Sequence, residues 1–316
     1  MKGVCRVLHR IVRASQWFTV ASSLTIIIGL IFTSFTGVLP LFLECVSPLL
    51  AAFLRMFSFM TPTYEAILIH AFQLCIYAIA TVFSCSILYH FSMTTFTDPG
   101  YVPFLYAPDV EAVVASSSAR LDRLRAQLHR EEVDAAHVHD EDHGSDTDTD
   151  SENDEALPSF CQKCDQFRPP HAHHCSLCGK CILRYDHHCP WIGQCIGWKN
   201  RKWFLSLLLS IVGGTTYSFL LAVAKIAVCG NPPKNNFFVI ALVGCGSVSF
   251  VMLFFGGWHL WLASNGVSFL EYNLLARNHQ RLNASARLSN LDVLFGTPSR
   301  LLWILPNTYP TMQTRS

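Results

Sequence analysis

Seven cysteines interleaved with histidines crowd into the stretch CQKCDQFRPPHAHHCSLCGKCILRYDHHCPWIGQC, from Cys161 to Cys195. The order is Cys161, Cys164, His174, Cys175, Cys178, Cys181, His188, Cys189 and Cys195. Two cysteines separated by two residues let both thiolates reach one tetrahedral ion, and zinc suits a mixed thiolate and imidazole donor set. Two four-coordinate sites need eight ligands, which six of the seven cysteines and two histidines supply. One thiol is left over. Beside two divalent cations and among His, Arg and Lys, such a thiol is held toward its thiolate form, which makes it a candidate nucleophile.

If Cys161, Cys164, His174 and Cys181 take one ion and Cys175, Cys178, His188 and Cys195 the other, the two sets interleave and Cys189 is the remainder. Asp186 and His187, immediately upstream, are then a candidate base-orienting carboxylate and base. Adjacent side chains often point apart, so the spacing does not by itself bring Asp186 to His187. Disulfides would be a competing use of the cysteines, but the Cys-x2-Cys spacing, the histidines and the basic flanks fit metal in a reducing compartment better. Cys5, Cys45, Cys75, Cys85, Cys229 and Cys245, in or beside apolar stretches, are expected to be small buried hydrophobes.

The elements that must position this segment are apolar. Of 316 residues 51% are hydrophobic and only 14% charged, a balance that suits a chain largely in lipid. A basic N-terminus with Lys2, Arg6, Arg10 and Arg13 leads into an apolar run over about 17–39, longer than a signal-peptide core and sufficient for about 30 Å of hydrocarbon. Further spans are predicted over about 66–91, 204–229 and 237–262. The segment from Pro40 to Glu65, broken by Pro40, Pro48, Pro62, Glu44 and Arg55, reads as a non-cytosolic loop with membrane-associated pieces, a further span being the competing reading. His70 and Cys75 read as packed residues of the second span. Asp98-Pro99-Gly100 stops the second helix.

Twelve of the 22 acidic residues fall between Glu131 and Glu155, so the tract that contains them reads as a disordered linker. Within it, Ser145, Thr147, Thr149 and Ser151 suit an acidophilic kinase, and His137, His139 and His143 suit weak metal binding, each set against a plain solvated spacer. Lys and Arg cluster at both termini and in the cysteine-rich segment, which by the positive-inside rule places all three in the cytosol. The sequon at Asn283 is then expected to stay unglycosylated.

Asp186-His187-His188-Cys189-Pro190-Trp191, set in this cysteine framework between the second and third of four membrane helices, resembles the DHHC-type protein S-acyltransferases, often called palmitoyltransferases. The resemblance extends to Asp98-Pro99-Gly100, to Cys195-Ile196-Gly197 with Asn200 and Phe204, and to Asn290 through Gly296 followed by Trp303 and Pro306. Two departures stand out. Ser268-Phe269-Leu270-Glu271 replaces a common Thr-Thr-x-Glu, which removes a hydroxyl that contacts the catalytic segment, and Gln194 replaces a common Asn, a minor change.

The resemblance implies an all-α integral membrane protein with four transmembrane helices and a small cytosolic two-zinc cysteine-rich domain between helices 2 and 3. Its parts would be 1–93 (tail and helices 1–2), 94–157 (Asp-Pro-Gly segment and acidic linker), 158–203 (zinc domain), 204–263 (helices 3–4) and 264–316 (cytosolic C-terminal domain). It implies transfer of a long-chain acyl group from acyl-coenzyme A, palmitoyl-CoA for example, first to Cys189 and then to a cysteine of a membrane-associated protein substrate. His187 would act as base and acid, and Asp186 would hold its tautomer. Both Zn2+ ions would be structural, since each has four protein ligands. Lys199, Arg201 and Lys202 are candidate partners for the coenzyme A phosphates, with Trp191 beside them, against the plainer reading of juxtamembrane positive charge. Trp191, Trp198 and Trp203 suit the lipid boundary. Gly213 and Gly214 suit either a deep acyl cavity or tight helix packing. The bilayer is an expected partner and nucleic acid is not, and an endomembrane such as Golgi or endoplasmic reticulum is the default location. A membrane-anchored zinc module without catalysis is the alternative; a transporter is disfavoured by the scarcity of ionisable residues in the spans.

Overall fold

The computed structural model describes residues 2–56, 61–103, 159–230 and 236–278, together with Leu291, Leu294 and Phe295. The acidic tract, the sequon at Asn283 and most of the C-terminal motif lie outside these residues. Among the described residues four helical stretches are long and apolar enough to cross a membrane, namely Ser15–Leu54, Pro62–Phe96, Arg201–Cys229 and Asn236–Ser264. The chain divides into two compact units, one formed by Met1–Pro99 with Asp186–Ser316 and the other by Gly100–Tyr185.

In the first unit, α1 (Lys2–Thr33) passes through a π-helical turn (Ser34–Val38) directly into α2 (Leu39–Leu54). The loop expected from Pro40 to Glu65 is therefore helix from Pro40 as far as Leu54 and again from Pro62. Pro40 follows the π turn directly, and that wider turn takes up the change of register at the residue that brings no N–H to the ladder. The two charges that interrupt the apolar pattern pair with each other: the Arg55 guanidinium donates to both Glu65 oxygens at 2.8–3.0 Å, joining the end of α2 to α3 (Pro62–Phe96).

Helices α4 (Arg201–Cys229) and α5 (Asn236–Ser264) pack on one another, and α3 packs on α4. Glycine permits the last contact. A Cβ at Gly213 would stand 2.4 Å from the Phe83 ring of α3, so Gly213 serves close packing, while Gly214 lines an apolar cavity. A Cβ at Gly214 would itself stand 3.2 Å from the Phe83 side chain, so the packing reading holds for both glycines.

The six cysteines expected to be buried hydrophobes fare differently. Cys245 is buried, Cys75 and Cys85 are exposed on α3 along with His70, and Cys45 of α2 forms a disulfide with Cys229 at the end of α4, their Cα atoms 6.2 Å apart. A lipid-facing helix surface has no protein neighbour to bury its residues, and a 184-residue separation in sequence hides the pairing. Cys5 lies where side chains are not described.

The second unit carries two antiparallel hairpins, β1 (Ser159–Cys161) with β2 (Gln166–Arg168) and β3 (Ala172–Cys175) with β4 (Lys180–Leu183). A third hairpin, β5 (His187–Cys189) with β6 (Gln194–Ile196), belongs to the first unit. Two-stranded ribbons of three or four residues cannot bury enough surface to stand alone, so they need another source of stability.

Candidate active site

Strand geometry separates the roles of adjacent residues. Along β5 successive side chains face opposite ways, so His187 and Cys189 share one side and His188 takes the other. His188 Nδ1 lies 3.4 Å from Cys195 Sγ, its register partner on β6, and its Nε2 lies 3.2 Å from Gln16 Nε2 of α1. Cys189 is 6% exposed and packs in a core with Ile87, Phe91, Phe204, Leu291 and Phe295. The last two residues come from the C-terminal stretch singled out in the sequence.

The turn between β5 and β6 is held from two sides. Gly193, at φ 73°, donates to the Cys189 carbonyl at 2.9 Å, and an added Cβ would stand 2.6 Å from Val20 of α1. From α1, Thr19 Oγ1 donates to the Pro190 carbonyl and Ser23 Oγ to the Trp191 carbonyl at 3.1 Å. Gln194, the Cα partner of Cys189, points its amide at the end of α3, where Nε2 lies 2.6, 2.8 and 3.0 Å from the carbonyls of Thr94, Thr95 and Thr97. Those are last-turn carbonyls with no intrahelical donor. The Asn-to-Gln departure is thus a helix cap that ties the Cys189 hairpin to α3. Gln194→Ala is expected to lower stability by about 1–2 kcal/mol, read as a lower midpoint of thermal unfolding in detergent.

Asp186 reaches His187, as adjacency alone did not guarantee. Its carboxylate is wholly buried; Oδ2 accepts from His187 Nδ1 at 2.9 Å and Oδ1 accepts from the Phe269 N–H at 2.5 Å. That N–H belongs to the first turn of α6 (Phe269–Arg277). Ser268 caps the helix by accepting from the Glu271 N–H at 3.1 Å, while Glu271 accepts from the Ser268 N–H at 2.6 Å. A free N–H at a helix N-terminus favours an anion, so the backbone supplies a contact where the threonine hydroxyl is missing.

Burial works against charge on Asp186, but the His187 bond, the Arg201 guanidinium and the Phe269 N–H outweigh it and hold the carboxyl down at about 2. Burial likewise opposes an imidazolium at His187, yet its bonds to Asp186 and Cys189 dominate and lift it to about 9. At neutral pH the dyad is therefore a carboxylate and an imidazolium. A third residue, which the sequence offers only as one of the few ionisable groups near the ends of the spans, joins them: His259 of α5 is buried with Nδ1 3.7 Å from Asp186 Oδ2. Its signal there was a single histidine in a helix without Asp, Glu, Lys or Arg.

Cys189 also opens on a cavity of about 480 Å³ among the helices, lined by apolar residues with Ser23, Phe83, Trp191, Gly214, Ser218 and Met252 among them. Trp191, 61% exposed, stands at the Cys189 end. Of the three basic residues expected to meet coenzyme A, only Lys199 is exposed. Arg201 and Lys202 are buried, Arg201 donating to the Val267 carbonyl and Lys202 lying 4.3 Å from the Trp203 ring centre, so both serve the protein itself.

Two Cys/His groups have the composition of a metal site. Cys161, Cys164, His174 and Cys181 sit wholly in the second unit with their ligand atoms within 4.8 Å of one another. His174 Nδ1 is 3.7, 3.2 and 4.0 Å from the sulfurs of Cys161, Cys164 and Cys181, close to the roughly 3.6 Å edge of a tetrahedron with zinc bond lengths. Burial and the two neighbouring thiols push Cys181 up to about 12, a crowding of sulfurs that a divalent cation relieves. The other four expected ligands are Cys175 and Cys178, on the β3–β4 hairpin, and the His188–Cys195 pair across β5 and β6.

The profile of the DHHC palmitoyltransferase family matches residues 154–278. "Probable protein S-acyltransferase 16" of Arabidopsis thaliana is 27% identical over 245 residues, covering 72% of this chain and 74% of that protein. Shorter matches are "Palmitoyltransferase ZDHHC16" of Mus musculus, 31% identical over 48% of this chain and 50% of that protein, and "Palmitoyltransferase ZDHHC15" of Homo sapiens, 36% identical over 35% of each. A Cys-His-Asp site at the mouth of an apolar cavity, four membrane-length helices and these likenesses make the chain a multi-pass membrane protein whose residues 154–278 match the DHHC palmitoyltransferase family.

Proposed function

We propose that the protein transfers a long-chain acyl group from acyl-coenzyme A to cysteines of membrane-associated proteins through a thioester on Cys189. The observation that carries this reading is the position of Cys189, whose sulfur meets the His187–Asp186 dyad on one side and the apolar cavity on the other. The cavity receives the acyl chain, and burial of its methylenes supplies binding energy remote from the reacting carbon. His187, which as the imidazolium already carries the proton taken from the thiol, gives it to the departing coenzyme A sulfur as the Cys189 sulfur attacks the acyl carbon, and is left neutral. In the second half the substrate thiol follows the same course, and Cys189 leaves. Asp186 holds the imidazole in the tautomer that turns Nε2 toward the sulfur.

Lys199 is the exposed cation for a coenzyme A phosphate. Cys161, Cys164, His174 and Cys181 would hold one Zn2+, and Cys175, Cys178, His188 and Cys195 a second. Both ions would act as cross-links that hold short hairpins in place, with every position filled by protein. A bulky residue inside the cavity tests the seat of the acyl chain. Ser218→Phe is expected to shift preference toward shorter acyl donors, measured as the ratio of acyl-enzyme formed from a long and a short acyl-CoA.

The zinc-ligand thiolates require a reducing compartment, whereas a Cys45–Cys229 disulfide requires an oxidising one. That contrast supports the orientation expected from the positive-inside rule, with Cys189 and both termini cytosolic and the Cys45–Cys229 end in the lumen of an endomembrane such as Golgi or endoplasmic reticulum. Non-reducing peptide mapping of protein taken from membranes should join the Cys45 and Cys229 peptides. Recovery of both as free thiols would argue against this orientation.

A further inference from the structure

We infer that His259 is a positioning residue of the acyl-transfer site, a second imidazole on Asp186 that fixes the carboxylate and, through it, His187. The inference rests on the acyl-transfer reading and extends it. An imidazole is a polar group in α5, a helix otherwise free of charged residues, and burying it among apolar chains is unfavourable unless its nitrogens face something polar. What His259 faces is Asp186: Nδ1 stands 3.7 Å from Oδ2, the same oxygen that holds His187 Nδ1 at 2.9 Å.

At 3.7 Å the contact is longer than a hydrogen bond, so its effect is electrostatic and steric. The χ2 torsion of an aspartate is soft, and a carboxylate held by one donor can rotate and carry its partner with it. Here Oδ1 is anchored by the Phe269 N–H, and the open side of Oδ2 is closed by the His259 ring. The His259 ring is itself set by Phe255, Phe204 and Phe269, at centroid distances of 4.6, 5.2 and 6.5 Å, and lies 5.6 Å from His187. This places a rigid imidazole, excluded from water, against the carboxylate that orients the base.

Two other roles are available to the same geometry. His259 can be mere filling between phenylalanines. Alternatively, Asp186, His187 and His259, with ligand atoms within 4.8 Å of one another, can hold a cation. The bonds already made at Oδ1 and Oδ2 favour positioning over both. The experiment compares full-length protein in detergent as wild type, His259→Phe and His259→Asn, by single-turnover acylation of Cys189 with an alkyne-tagged palmitoyl-CoA and by zinc content.

Phenylalanine keeps the ring and loses the polar edge, and is expected to slow acylation about tenfold or more with an unchanged KM for the acyl donor. Asparagine keeps an N–H and loses the ring, and should recover the rate to within about threefold of wild type. In an Asp186→Asn background, His259→Phe should add no further loss, because a residue that acts through Asp186 has nothing left to position. Filling alone predicts the reverse order, with His259→Phe near wild type and His259→Asn slow, and would overturn the inference. A third zinc per chain that disappears in both variants would overturn it in favour of a metal. Failure of the wild type to form a thioester at Cys189 would instead sink the acyl-transfer reading, and this inference with it.

Discussion

Cys189→Ser is expected to abolish the acyl-enzyme while the chain keeps both zinc ions. Serine fills the same space in the core with Ile87, Phe91 and Phe204, so the fold survives. Its hydroxyl stays protonated near neutral pH and is a far weaker nucleophile toward a thioester than a thiolate, so labelling should fall on the order of 10³-fold or more. Zinc analysis distinguishes loss of chemistry from loss of structure. Two ions per chain in a variant that does not label assign Cys189 as the nucleophile, whereas loss of an ion would move Cys189 into a ligand set and another cysteine out of one.

The second large effect is expected at the metal. His174→Ala removes the imidazole that lies 3.2–4.0 Å from three sulfurs and leaves those thiols crowded at one point. Apparent binding energies of structural zinc are about 10–16 kcal/mol, comparable to the whole stability of an ordinary domain at about 5–15 kcal/mol, and ribbons of three or four residues have no core to replace it. The variant should lose at least one zinc per chain and its acylation, while the helix signal in far-ultraviolet circular dichroism persists because the spans are stabilised by lipid and by one another. Retention of two zinc ions and full activity would show that His174 is no ligand.

Local chemistry was the legible part. Cys-x2-Cys pairs and a surplus thiol next to two histidines are features of neighbouring residues, and one grouping that their order allows, Cys161, Cys164, His174 and Cys181, stands together in the structure. What stayed hidden depends on chain paths. Asp186 and His187 are adjacent, yet their bond depends on the bend that leads into β5, and the Asp186 anchors Phe269 and His259 lie far along the chain. The missing threonine hydroxyl was read from side chains, whereas the contact comes from a backbone N–H freed at a helix start. Pro40 looked like a helix stop because a proline's position within a helix is invisible until the boundary before it is known. Gln194 looked conservative because an extra methylene matters only when three carbonyls lie within its reach.

The most direct test is peptide mapping of purified wild-type protein after brief incubation with an alkyne-tagged palmitoyl-CoA, with and without hydroxylamine. The expected result is one acyl group on the peptide carrying Cys189, removed by hydroxylamine as a thioester must be, on protein that contains two zinc ions. A label on any other cysteine, a label that resists hydroxylamine, or no label on zinc-loaded protein would contradict the account.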